Sequence, residues 1–205
     1  VDYAIVSGKI ANLEKGELSI NSFNGATSEK ISVSEDGSFV DTLTWEKGTY
    51  LLFDGKNRVN VYLEPGHNLN VNYDASDLKK SLVFSGVGSE ASMYLLNKGK
   101  KQAELLGEGM TVYELEEDAY KAKFNELKAS LTDLVNSTEG VSEEFKTKEL
   151  RNLNYEFIGK MSIYERYHAH FAKKPDFKAS ASMMDALKTL DYSNEEDFKF
   201  SPEYK

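Results

Sequence analysis

From Tyr3 to about Phe84 the apolar residues fall at every second position in short runs. Leu69, Val71 and Tyr73 alternate with Asn68, Asn70 and Asn72, and Val59, Val61 and Leu63 form a second such series. Period-two alternation marks strands with one buried and one wet face. The pattern predicts strands over Tyr3–Ala11, Glu17–Phe23, Lys30–Ser34, Ser38–Trp45, Thr49–Asp54, Asn57–Leu63, Asn68–Tyr73 and Leu82–Phe84. Turn signals separate them: Lys15-Gly16, Asp36-Gly37, Lys47-Gly48 and Asp54-Gly55. Glu64-Pro65-Gly66-His67 is a further turn, with Pro65 setting φ for the first central position and Gly66 supplying the positive φ of the second. The same tetrapeptide raises the question whether Glu64 and His67 form a catalytic acid and imidazole. Such a pair needs a third orienting group and a concave site, and the sequence displays neither.

Beyond Gly86-Val87-Gly88-Ser89 the period changes to that of a helix. These glycines lack the third glycine and the Lys of phosphate-binding loops and read as a hinge between layers. A first helix is expected from an N-cap at Ser89 to about Leu106. A second opens with a capping box, Thr111 and Glu114, and a hydrophobic staple, Met110 and Leu115. Its stripe is Tyr113, Tyr120, Phe124, Leu127, Leu131 and Leu134, ending near Gly140. A third helix starts at Ser142, with Leu150, Leu153, Phe157, Met161, Tyr164, His168 and Phe171 on one face. Lys173 and Lys174 suit its C-terminal dipole, and Pro175 stops it. The fold class is therefore α+β: an N-terminal antiparallel β-sandwich or partly open barrel over residues 1–86, then an α-helical region over 87–205 containing a long antiparallel helix pair.

Composition narrows the chemistry. The chain has 205 residues and a net charge of −9, with no basic run to suit nucleic acid or an anionic membrane surface. No apolar stretch reaches the roughly 18–20 residues of a membrane span, and no signal peptide begins the chain. Val1 in place of Met is read as a processed or trimmed start. The absence of cysteine excludes disulfides, thiolate metal sites and cysteine nucleophiles within these residues.

His168 and His170, two apart on a helix, diverge by about 200° and do not suit a metal pair. The clusters Glu114, Glu116, Glu117, Asp118 and, after Ser193, Glu195, Glu196, Asp197 read as helix starts. No Gly-x-Ser-x-Gly elbow occurs, and Asn136-Ser137-Thr138 matters only where the source glycosylates. Catalytic, cofactor and metal residues are therefore assigned to none. The aromatics Trp45, Tyr50, Tyr62 and Tyr73 are candidates for stacking on a glycan or peptide, against a structural role as core or cross-strand pairs.

Several stretches carry a family resemblance: Leu63–Asp74 followed by Leu82-Val-Phe-Ser-Gly-Val-Gly-Ser-Glu, Asp36-Gly37-Ser38-Phe39, Gly48-Thr49-Tyr50, Phe53-Asp54-Gly55, and the tail Leu190-Asp-Tyr-Ser-Asn-Glu-Glu-Asp-Phe198. Together they resemble the N-terminal region of bacterial cell-envelope TlpA-like thiol-disulfide oxidoreductases. The resemblance implies a β-rich domain and helical segment preceding a thioredoxin fold whose Cys-x-x-Cys does the redox work. With no cysteine here, no catalytic residue carries over. It also implies a noncatalytic module without cofactor, in the periplasm or lipoprotein-anchored, partnered by a C-terminal thioredoxin-like domain and also by other proteins or a second copy. The alternatives are a free-standing glycan- or peptide-binding protein and a hydrolase whose acids meet only in three dimensions. Ser201-Pro202-Glu203 reads as a helix start, an expectation that the natural chain continues beyond Lys205.

Overall fold

The computed structural model describes residues 1–14, 17–23, 25–190, 193, 194 and 197, without the side chains of Ala186 and Thr189. Eight strands come first: β1 Ala4–Ala11, β2 Glu17–Ser22, β3 Ser28–Ser32, β4 Ser38–Leu43, β5 Gly48–Phe53, β6 Arg58–Leu63, β7 Asn68–Asp74 and β8 Val83–Val87. A short helix α1, Leu78–Ser81, precedes β8, and then come α2 Ser89–Leu106, α3 Glu117–Ser137 and α4 Glu143–Phe171. Turns of 3-10 helix occupy Thr111–Glu114 and Ala181–Thr189. The expected turn at Lys15-Gly16, the helix start at Glu195-Glu196 and the one at Ser201-Pro202 lie outside the described residues. The chain forms two compact units, Val1–Leu96 with Glu139–Val141, and Asn97–Thr138 with Ser142–Lys205.

In the first unit the strands form two four-stranded sheets, ordered β4-β1-β7-β8 and β3-β2-β5-β6. All pairings are antiparallel except β1 with β7, which run parallel, so the two sheets are mostly antiparallel and the fold is the expected α+β one, strands first and helices after. Alternation decides the faces, as one side of each strand must leave water. Val6, Ile10, Ile20, Leu52, Val61, Leu69 and Val71 are almost wholly buried between the sheets. The hairpin at Asp36-Gly37 joins the β3 and β4 edges, with Gly37 at φ 84° and Ser34 N–H donating to Ser38 O at 2.8 Å. The β6 edge is covered by the first turns of α2, where Ser92 Oγ accepts the Tyr62 N–H at 3.0 Å and Met93 and Leu96 pack on the core. Covering an edge in this way hides backbone groups that would otherwise recruit another strand. Gly86 and Val87, read from sequence as part of a hinge, instead extend β8, and α2 begins on Ser89 itself.

The turn between β6 and β7 takes the expected form. Gly66 has φ 93°, and His67 N–H donates to Glu64 O at 3.0 Å. A β-branched side chain is strongly disfavoured at that φ. Gly66→Val is expected to cost roughly 1–3 kcal/mol, read as a lowered midpoint in urea.

In the second unit α3 and α4 form the long antiparallel pair. Tyr120 meets Lys160 and Tyr164, while further along α3 Lys128 meets Asn154 and Phe157, the descending register of antiparallel neighbours. The start of α4 is as expected, with Ser142 Oγ accepting from Phe145 N–H at 3.1 Å. That of α3 is not. Thr111–Glu114 closes a single 3-10 turn, the chain extends through Leu115 and Glu116, and the helix begins at Glu117. Thr111 Oγ1 donates to Glu108 O rather than capping, and Met110 is exposed, so there is neither box nor staple. The tertiary reason is burial of Val112 and Tyr113, which the extended break allows to turn inward.

The α3 stripe ends on Val135 rather than Leu134, and on α4 Ile158 is buried while Leu150 and Phe157 are only half-buried. Phe157 instead lies under the Lys128 ammonium, 5.0 Å from the ring centroid. Phe157→Ala is therefore expected to cost about 1–2 kcal/mol, below the range for truncating a fully buried ring, measured by thermal melting.

Candidate functional site

The turn brings the acid and imidazole of Glu64-Pro65-Gly66-His67 together, with Glu64 Oε1 3.3 Å from His67 Nε2. Its backbone is tied to β1 by Gly66 N–H to Tyr3 O at 2.8 Å and Ile5 N–H to His67 O at 2.9 Å. A general base needs one ring nitrogen oriented and the other open to substrate. Here Nδ1 is buried without a hydrogen-bond partner, and the ring lies so close to Gly88 that a Cβ there would fall 2.4 Å from it. With one nitrogen on Glu64 and the other sealed, the pair clamps the turn beneath the start of α2.

The four candidate aromatics are core residues. Tyr50, Tyr62 and Tyr73 are 7%, 4% and 4% exposed, and Trp45 packs partly buried on the same core, tilted against Tyr50 at 5.3 Å. The Tyr50 hydroxyl donates to Glu46 O, and that of Tyr73 donates to Asp54 Oδ2 at 2.8 Å. Asp54 also accepts from Lys56 N–H, Asn57 N–H and Asn57 Nδ2. Burial pulls its carboxyl upward, but the hydrogen bonds from Asn57, Lys56 and Tyr73 outweigh this and hold it below the ordinary range. That carboxylate is committed to its turn.

Near that turn, two adjoining open hollows of about 360 and 430 Å³ share Glu17, Phe53 and Gly55. Phe53 is half-buried on the outward face of β5, with the Arg58 guanidinium 5.7 Å over its ring. In the sequence Phe53 stands out only through the Phe53-Asp54-Gly55 stretch, not as a surface residue. The available signal was its place out of phase with the inward Tyr50 and Leu52.

Besides Asp197, which pairs with Arg151, the described residues of the second unit hold two polar features within their packing. Lys98 Nζ lies 2.7 Å from both Glu149 Oε1 and Glu156 Oε1, and Asn152 Nδ2 donates to both glutamates. Lys98, Glu149 and Asn152 are each under 9% exposed. Burial pulls the ammonium down, but the charges of Glu149 and Glu156 offset this and leave it raised.

The other feature is His168, wholly buried, with Nδ1–H donating to Tyr113 O at 2.9 Å. Its Nε2 has no hydrogen-bond partner and lies 4.0 Å from Glu116 Oε2. The Tyr164 ring lies 5.1 Å from it and in turn meets Tyr120, which meets Tyr113, the Tyr164 hydroxyl donating to Leu115 O and pushed up to about 12 by burial.

After α4 the chain doubles back over this cluster. Phe177 lies 4.4 Å from the His168 ring and meets Tyr164 edge-on at 5.7 Å. Carboxylates pin the returning strap. Glu116 pairs with Lys174, Glu165 accepts from Lys178 Nζ and Ala179 N–H, and Glu117 accepts from Ser180 N–H and Oγ as well as Lys121.

The same bonds set a pH dependence. For Glu116 the Lys174 bond, and for Glu165 the Lys178 bond, lowers the carboxyl; for Glu117 burial is outweighed by Lys121 and Ser180, bringing it from 4.5 to about 2. Groups lowered in the folded state stabilise above their unfolded value and lose that contribution as pH falls through the folded one. Amides of the strap are therefore expected to lose hydrogen-exchange protection between pH 5 and about 2 before those of α4 do, and Glu117→Gln is expected to weaken the dependence.

Among the described residues no group of three or more His, Cys, Asp or Glu could hold a metal ion, and no helix is long and apolar enough to cross a membrane. Comparison with known proteins finds no counterpart, as no family model, curated protein or solved structure matches the chain.

Proposed function

We propose that this chain is a noncatalytic interaction and positioning module of an envelope thioredoxin-like thiol-disulfide oxidoreductase. In this reading the full-length protein is periplasmic or lipoprotein-anchored and carries its redox cysteines in a C-terminal thioredoxin-like domain. The support is architectural: strands followed by long helices, in a chain without cysteine, is the order that the family resemblance implies for such a module. Disulfide exchange proceeds by thiolate attack, which this chain cannot supply. The burial of Tyr50, Tyr62 and Tyr73 removes the feature that would favour a glycan- or peptide-stacking protein.

The test has two arms. The chain alone is expected to leave a model disulfide at the uncatalysed rate. The thioredoxin-like domain sought in the downstream reading frame is expected to bind it and to change kcat/KM toward protein disulfides when fused to it. Turnover by the isolated chain, or a reading frame without Cys-x-x-Cys, would overturn the proposal.

A further inference from the structure

The strap over His168 is built like a bound peptide. Residues 173–180 read Lys-Lys-Pro-Asp-Phe-Lys-Ala-Ser. One aromatic side chain, Phe177, is set down on His168 and Tyr164, while the residues around it remain at the surface: Lys173, Lys174, Pro175, Asp176, Lys178 and Ser180 are all exposed. The flanking lysines meet carboxylates that project from α4 and from the start of α3, Lys174 on Glu116 and Lys178 on Glu165. Two backbone N–H groups, of Ala179 and Ser180, are also received by carboxylates, at 3.0 and 2.9 Å. A half-buried aromatic anchor set on other rings, with charge-paired flanks, is the anatomy of a recognised peptide segment.

The strap is also weakly held by its own chain. It leaves α4 through Lys173, a non-glycine residue at φ 56°, a conformation that carries strain. Its ion pairs are exposed, and such pairs contribute little in water. With six of its eight residues exposed and strain at the entry, the segment lies at the low-stability end of the fold. Beneath it the His168 Nε2 atom is buried without a partner, a polar group that the present occupant leaves unsatisfied.

We propose that the surface under Phe177, formed by His168 and Tyr164 and flanked by Glu116, Glu117 and Glu165, is a docking seat for a peptide segment with one aromatic residue flanked by lysines, and that residues 173–180 occupy it in cis as an autoinhibitory strap. A partner segment of that chemistry displaces the strap, places its aromatic ring on His168 and Tyr164, and sets its lysines on the same carboxylates. The proposal rests on the interaction-module reading and gives its partner a recognition chemistry.

The probe is the synthetic peptide Lys-Lys-Pro-Asp-Phe-Lys-Ala-Ser, titrated by fluorescence anisotropy into the whole 205-residue chain. Phe177→Ala empties the seat and is expected to bind the peptide at least 10-fold more tightly than the unaltered chain, and replacing the peptide's Phe with Ala is expected to abolish the gain. Equal binding by both proteins, or no binding by a Phe177→Ala variant that keeps its circular dichroism spectrum, overturns the seat. Should Phe177→Ala fail to fold, hydrogen exchange of the unaltered chain decides: the Phe177, Ala179 and Ser180 amides are expected to exchange at least 10-fold faster than the Tyr164 and His168 amides. Equal protection means that the strap does not open separately, and the proposal falls. No redox domain is present in these measurements, so their failure removes the seat alone, while failure of the fusion assay removes the module reading alone.

Discussion

Replacing Gly8 with Ala is expected to abolish the folded state of the strand unit, a loss of more than about 4 kcal/mol, at the exceptional end for single substitutions. Gly8 lies in β1 between β4 and β7, opposite Phe39 on one side and Val71 on the other. A Cβ on Gly8 would fall 1.7 Å from Val71 O and 2.6 Å from Val71 C, with Phe39 Cε1 at 3.1 Å. The obstruction is backbone inside a ladder, so no side-chain rotation relieves it. The parallel β1–β7 pairing would have to part. Gly99 in α2 is the control. A Cβ there meets nothing within 4 Å, and Gly99→Ala is expected to stabilise by roughly 0.5–1 kcal/mol through helix propensity. Urea unfolding of both variants checks the pair, and a Gly8→Ala midpoint close to that of the unaltered chain would refute the steric account.

Lys98→Met is expected to cost about 3–5 kcal/mol, the range for removing one partner of a buried ion pair. The loss comes from the carboxylate left behind. Glu149 is 3% exposed and would be left in the helical packing with the facing ammonium gone, whereas Glu156, with 23% of its side chain exposed, can turn to water. Adding Glu149→Leu to Lys98→Met is therefore expected to restore most of the stability, because a well-packed apolar substitute for a buried pair is often neutral or better. Failure of the double variant to recover would place the stability in the Asn152 hydrogen bonds instead. The Lys98 contribution, with its ammonium raised in the fold, is complete below the ordinary value of 10.5 and disappears only as pH rises through the raised value.

Local signals sufficed where their cause was local. Alternation of apolar residues in β6 and β7 determined which faces are buried, since a strand has only two faces and water selects between them. Pro65-Gly66 determined a turn through the φ values those two residues favour, and Ser142 determined a helix start through a hydroxyl that reaches Phe145 N–H. The failure at Thr111–Glu114 has a nonlocal cause. The capping-box residues are present, but burial of Val112 and Tyr113 uses a 3-10 turn and an extended break instead, so packing overrides a signal of about 1 kcal/mol.

The site divides the same way. Glu64 and His67 are three residues apart, and their approach follows from the turn between them. The closure of His67 Nδ1 depends on Gly88, which arrives only when β8 has paired with β7 and α2 has begun. Likewise Lys98 and Glu149 are ordinary charged positions in sequence and become a buried pair only once α2 and α4 are packed. The strap gives itself away least, since Phe177 lies among lysines beyond a proline and looks like solvent-exposed chain until Tyr164 and His168 are beneath it. Sequence alone determined what depends on the nearest few residues: the period of burial, the turn and cap chemistry, and the exclusion of thiol chemistry within these 205 residues. Tertiary structure decided the parallel β1–β7 ladder, the identity of the buried charges and the strap's seat. Each joins groups far apart in the chain, whose approach depends on the whole fold's burial of apolar surface rather than on any local preference.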